Sequence, residues 1–116
     1  MKNLPEFKAL ILRYESITEN EINPLIDVFE KEFGTGLFYA NSIAKVLTGY
    51  GSPETCTLCQ AVDIDCSKCM YENYHGCVNT TFDMIYHADS TEELLSAFKA
   101  RAKYMRELLI SKNIEI

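Results

Sequence analysis

CTLCQAVDIDCSKCMYENYHGC, residues 56–77, carries all five cysteines of a 116-residue chain. The pairs Cys56/Cys59 and Cys66/Cys69 are both Cys-x-x-Cys, six residues apart, and seven more residues lead to Cys77. Each pair can present two sulfurs to one ion across a tight turn, which is the ligand spacing of a structural metal site. Zinc accepts four thiolates in a tetrahedron without redox demands, and four protein ligands leave no open position for substrate or activated water. Zinc held by Cys56, Cys59, Cys66 and Cys69 is therefore the expected cofactor, in a shape-holding role. His75 and Cys77 lie close enough in sequence to substitute for one ligand, and Cys77 is otherwise spare or beside the ligand shell. An iron–sulfur cluster is the alternative, since it too takes cysteine thiolates, although the spacing differs from the common ferredoxin runs. Disulfides need an oxidising compartment, and a thioredoxin-like pair needs a βαβ context that this sequence lacks. Leu58, Val62, Ile64 and Val78 are scattered among polar residues. The segment thus reads as having no core of its own, and bound zinc, worth on the order of 10 kcal/mol in apparent terms, would replace it.

On both sides of this segment the apolar residues recur at helical spacing. Phe7, Leu10, Ile11, Tyr14 and Ile17 follow Pro5, which suits a first helical turn. A second helix starts either at a Thr18/Glu21 capping box or at Asn23–Pro24, carries Leu25, Ile26, Phe29 and Phe33 on one stripe, and ends at Gly34. Thr35 is the expected cap of a third helix, with Leu37, Ala40, Ile43, Ala44 and Leu47 on one face, stopped by the turn residues 49–53, GYGSP. Beyond the cysteines, residues 81–87 predict a short helix. Ser90 with Glu93 predicts the capped start of a long one, striped by Leu94, Phe98, Ala102, Met105 and Leu109 and widened by Leu95 and Leu108. GLFY at 36–39 and the terminal residues 114–116 are the only short strand candidates.

The expected fold is mainly α: a small helical bundle with a cysteine-rich metal-binding knuckle between helix three and the C-terminal helices. One domain is expected over 1–116, with a helical N-terminal part (1–50), a metal-binding insert (51–80) and C-terminal helices (81–116).

Seventeen acidic against eleven basic residues give a formal charge of −6, and a tetrathiolate zinc site would bring it to about −8. Such a charge repels a phosphate backbone and argues against nucleic acid as a partner. No apolar run approaches the length of a membrane span. Glu6, Lys8 and Arg13 interrupt what would be the apolar part of a signal peptide, so a cytoplasmic protein is expected. Lys99, Arg101, Lys103, Arg106 and Lys112 place five of the eleven basic residues in the last eighteen positions. They read as a solvated, ion-pairing face, with a basic stripe for a small anionic ligand as the alternative. GTG at 34–36 and GYG at 49–51 lack the spacing and lysine of a phosphate loop. His75 and His87 have no motif that pairs them with a nucleophile, and Asp63, Asp65 and Asp83 suit turn chemistry better than acid–base work. Tyr71, Tyr74 and Tyr86 are candidates for an aromatic surface or for the closing of a small core.

The cysteine segment followed by a capped amphipathic helix resembles a loose group of small uncharacterised proteins from bacteriophages and gut bacteria. They share two Cys-x-x-Cys pairs and a later single cysteine. In that group a proline often follows the first and fourth cysteines, where this chain has Thr57 and Met70. The resemblance implies metal binding and a phage origin, and it carries no catalytic residue. By analogy with small acidic phage proteins, the expected function is non-enzymatic: a zinc-stabilised module that binds another protein and inhibits a bacterial defence protein. The alternatives are an iron–sulfur or redox-responsive protein and a sponge for a small anionic signalling ligand. A homo-oligomer is compatible with each.

Overall fold

The computed structural model describes residues 3–72 and 74–115, and of Tyr74 and His75 the backbone alone. Helix α1 (Leu4–Ser16) has Pro5 in its first turn and buries Phe7, Leu10, Ile11 and Tyr14 along one stripe. These are the i, i+3, i+4, i+7 positions that a 3.6-residue period brings to a single face. Ile17 then turns the chain into α2 (Glu19–Phe33).

Of the two starts open for α2, the Thr18/Glu21 box is the one used, and Pro24 lies inside the helix. The Glu21 carboxylate accepts from the Thr18 backbone N–H at 3.3 Å. Arg13 Nη1 meets the other oxygen of Glu21 at 2.8 Å, while Arg13 Nε donates to the Leu47 carbonyl at 3.0 Å. One side chain of α1 therefore ties the start of α2 to the end of α3.

Helix α3 (Ala40–Thr48) begins four residues later than the Thr35 cap would place it, with Tyr39 at the cap position. Gly34 and Gly36 hold φ at +109° and +94°, outside the helical region, so residues 34–39 form a loop. Leu37, expected on a buried helix face, is 70% exposed there. At the other end Gly49 caps α3 in the left-handed conformation, donating to the Lys45 carbonyl at 2.9 Å. A Cβ on Gly49 would lie 2.2 Å from the Thr55 carbonyl oxygen. Only glycine lets the chain fold back this closely into the cysteine segment.

The remaining elements are α4 (Thr57–Ala61), a 3₁₀ turn over Cys66–Lys68, α5 (Tyr74–Cys77), α6 (Thr80–Tyr86) and α7 (Thr91–Ser111). Among the described residues there is no strand: residues 36–39 are loop, and Ile116 lies outside them. The mainly helical class expected from the sequence is thus observed. No described helix is long and apolar enough to cross a membrane.

Helix α7 organises the whole. Ser90 Oγ accepts from the Glu93 N–H at 3.1 Å, and the Glu93 carboxylate reaches back to the Asp89 N–H at 3.0 Å. The buried stripe Leu94, Ala97, Phe98, Ala102, Met105 and Leu109 packs on α1 and α6, with the Tyr14 and Phe98 rings 5.5 Å apart. Burial of each large apolar side chain in such a stripe is worth about 1.5–3 kcal/mol. The molecule is elongated, 44 × 24 × 20 Å.

Candidate metal centre

The cysteines are carried on short helical turns. Cys56 caps α4, Cys59 lies within it, Cys66 opens the 3₁₀ turn, Cys69 follows that turn and Cys77 closes α5. Between the two pairs the chain reverses through Asp63 and Ile64, both left-handed at φ 52° and 63°. The Ile64 N–H closes this turn on the Cys59 carbonyl at 2.7 Å. A β-branched residue in that region is strained, and Ile64 is exposed as well.

Contrary to the expectation of a coreless insert, Leu58, Val62, Met70 and Tyr71 are all buried. The Phe7 and Tyr71 rings meet edge-on at 5.2 Å. The segment is therefore seated on α1 by packing, and Ile64 alone of its large aliphatics stays outside.

Asn3 makes the polar half of this seat. It is fully buried; its Nδ2 donates to the Leu58 carbonyl at 3.2 Å and to Cys69 Sγ at 3.1 Å, and its Oδ1 accepts from the Met70 N–H at 2.9 Å. A single amide thus satisfies groups on both cysteine pairs' elements that would otherwise be buried without partners.

Cys56, Cys59, Cys66 and Cys77 line one cavity of about 400 Å³, together with Tyr14, Tyr50, Tyr71, Phe82 and Arg101. Cys69 lies outside that lining, turned to Asn3. No disulfide joins any of the five cysteines. Burial, then the nearby Cys56 and Cys77 thiols, push Cys59 up to about 12. Cys77 is also raised, chiefly by burial, with Arg101 pulling the other way and Cys56 and Cys69 adding to the rise. Mutual repulsion of this kind marks sulfurs that share one neighbourhood, and a bound cation is what would reverse it. Among the described residues no group of three or more Cys, His, Asp or Glu side chains is placed so as to hold a metal ion; four of the five cysteines line a common cavity. The side chain of His75, the other candidate substitute ligand, lies outside the described residues.

Arg101 departs furthest from its expected place. Read as part of a solvated basic face, it is 3% exposed, in the middle of the buried stripe of α7. Its guanidinium carbon stands 4.7 Å over the Tyr71 ring. Nη1 donates to Asn79 Oδ1 and Thr81 Oγ1, each at 3.0 Å, and Nη2 points to Cys77 Sγ at 3.8 Å. Two other members of that basic group are engaged elsewhere: Arg106 forms a fork with both Glu15 oxygens, at 2.5 and 2.7 Å, and Lys112 pairs with Glu72.

Asn3 and Arg101 carry no sequence signal that would have singled them out, because each acts through partners far away in the chain. Four cysteine sulfurs line one cavity, Cys77 among them receiving an N–H from buried Arg101, while Cys69 outside it receives one from Asn3; soft donors of this type are those that a thiolate-bound cation takes.

A second surface lies at the C-terminal end of α2. Phe29 and Phe33 stack at 6.1 Å with their planes 7° apart, and Tyr39 closes on Phe33 at 5.7 Å and on Phe29 at 6.4 Å. Phe33 is 59% exposed, although the sequence stripe placed it towards the core, and Leu37 stands exposed in the loop that follows. Asp27 and Glu32 are exposed on the same helix.

Compared with known protein families, with curated proteins and with solved structures, the chain finds no match.

Proposed function

We propose that the protein is a non-enzymatic binding module in which a zinc–thiolate centre fixes the cysteine segment and the aromatic end of α2 contacts a partner protein. The observation that carries the binding half is the aromatic cluster in which exposed Phe33 stacks on half-buried Phe29 and Tyr39, continued by exposed Leu37. Exposed apolar surface of this kind, with carboxylates beside it, suits a partner segment that is apolar and basic. The overall charge of −6 favours the same partner chemistry. The resemblance to small phage proteins favours a bacterial defence protein as that partner.

The test uses fluorescent helical peptides of matched length: apolar and basic, apolar and acidic, and basic without an apolar face. Selective binding of the first, weakened at least tenfold by a Phe33→Asp/Leu37→Asp variant, supports the reading. Equal binding of all three, or no effect of the variant, defeats it. Sedimentation that shows a dimer dissociated by the same variant would assign the surface to a second copy instead. Elemental analysis of the purified protein should return about one zinc per chain.

The four cysteines on the wall of one cavity, Cys56, Cys59, Cys66 and Cys77, suit one rival as well, since an iron–sulfur cluster also takes cysteine thiolates. Iron with acid-labile sulfide and a brown colour after anaerobic purification would replace zinc by an iron–sulfur cluster.

A further inference from the structure

Among the described residues the charge of Arg101 has no carboxylate counterion. The ion pairs among the described residues belong to Arg13, Lys68, Arg106 and Lys112, and the oxygen partners of Arg101 are a neutral amide and a neutral hydroxyl. Its Nε is the one buried side-chain nitrogen or oxygen among them without a hydrogen-bond partner. The faces of Tyr71, Tyr104 and Phe82 at 4.7, 5.7 and 6.0 Å offer a cation only partial compensation. A buried lysine could shed its proton, but a guanidinium cannot. An uncompensated buried charge is strongly destabilising, so the fold of α7 around Arg101 calls for a fixed negative charge within its reach.

The group in reach is Cys77 Sγ, at 3.8 Å from Nη2. As a thiol it is neutral and supplies nothing; as a metal-bound thiolate it is anionic outright, within a centre that stays negative overall. Cys77 also shares the cavity wall with Cys56, Cys59 and Arg101. Gly76 brings it there: a Cβ at that position would lie 2.2 Å from the Tyr71 carbonyl oxygen, and the Gly76 carbonyl accepts from Tyr104 Oη at 2.6 Å. Helix α5 is thus tied to α7 through Tyr104 and lies close against the chain after Cys69 at Tyr71.

We infer that Cys77 is a ligand of the metal centre alongside Cys56 and Cys59, with the fourth thiolate drawn from Cys66 or Cys69, and that Arg101 is the buried cation that balances and positions it. This rests on the reading of the cysteine segment as a metal site and alters its ligand set: one cysteine of the second Cys-x-x-Cys pair, not Cys77, is the thiol left over. Arg101 touches the ligand and not the metal, so its role is positioning.

The experiment uses the full chain loaded with zinc. Alkylation with iodoacetamide followed by peptide mass spectrometry, before and after chelation, reads each cysteine without any mutation. Cys77 should be protected until the metal is removed, with Cys66 or Cys69 the single cysteine labelled in the loaded protein. Labelling of Cys77 alone in the loaded protein overturns the inference. Cobalt substitution gives an independent reading. Cys77→Ser should lose sulfur-to-cobalt charge-transfer absorbance and weaken zinc binding at least tenfold in competition with a chelating dye. Arg101→Met should keep the absorbance, because the thiolate count is unchanged, yet weaken binding about 10–100-fold, with Arg101→Lys recovering part of the loss. Unchanged affinity and spectrum in Cys77→Ser would overturn the assignment while leaving the metal reading intact. A wild-type chain that takes up neither zinc nor cobalt would remove the metal reading itself.

Discussion

Helix α7 and the cysteine segment are both buried against α1, by different means. The helix is held by a continuous stripe, from Leu94 through Phe98, Ala102 and Met105 to Leu109, that repeats every three or four residues. Its hold is distributed, and no one side chain decides whether the helix forms. The cysteine segment is held at points: Leu58, Met70 and Tyr71 in packing, the Asn3 amide across two turns, and Arg101 beneath Cys77. Periodic burial tolerates variation at its edges, whereas a point-held segment depends on each of a few groups being correct.

The sharpest way to break the comparison is to damage each region once. Phe98→Ala empties the centre of the stripe and should destabilise the protein by about 3–5 kcal/mol in urea unfolding. It should do so with or without added zinc. Asn3→Ala strips a donor from Cys69 and the Leu58 carbonyl and an acceptor from the Met70 N–H. We expect a loss of about 2–3 kcal/mol by the same measurement. If Asn3→Ala were silent, the segment would be held by packing alone and the contrast with α7 would collapse. Gly49→Ala tests the crossover between the regions. Its φ of 77° and the 2.2 Å approach to Thr55 predict a fall of about 1–3 kcal/mol, read as a lower melting temperature.

The smallest effect belongs to the surface tie between α1 and α7. The hydrogen bonds from Arg106 hold the Glu15 carboxyl below its ordinary value. A carboxyl lowered in the folded state contributes stability above its unfolded pKa and loses it as the pH falls through the folded one. Glu15→Gln should therefore be slightly less stable than wild type at neutral pH, with the difference vanishing in acid. Both side chains are more than a third exposed, so the effect should lie near the lower limit of what urea titration resolves.

The same contrast explains what the sequence made legible. The stripes of α1 and α7, the Thr18/Glu21 box and the Ser90 cap are local patterns, and each lies where its periodicity or capping chemistry puts it. Local patterning misplaced the start of α3, because Thr35 caps a helix only if Gly36 enters it, and the φ of +94° at Gly36 keeps it out. Phe33 lies on the apolar stripe of α2 and yet faces outward, since a stripe shows which face is apolar and not how far along it a neighbour extends. The crowding of the cysteines between residues 56 and 77 was plain, but their supports were not. Asn3 meets Met70 across 67 positions, and Arg101 reaches Cys77 across 24. A basic residue among other basic residues on an amphipathic helix carries no mark of being inside, and an asparagine at a helix start reads as a cap even when its side chain is spent elsewhere.

The Asn3 clamp also bears on how the molecule comes apart. One amide closes the front of α1, the start of α4 and the turn after Cys69 at once, so none of the three can open while the other two stay shut. The amide hydrogens of these stretches should exchange with solvent as one cooperative unit, at a rate set by the weakest of them.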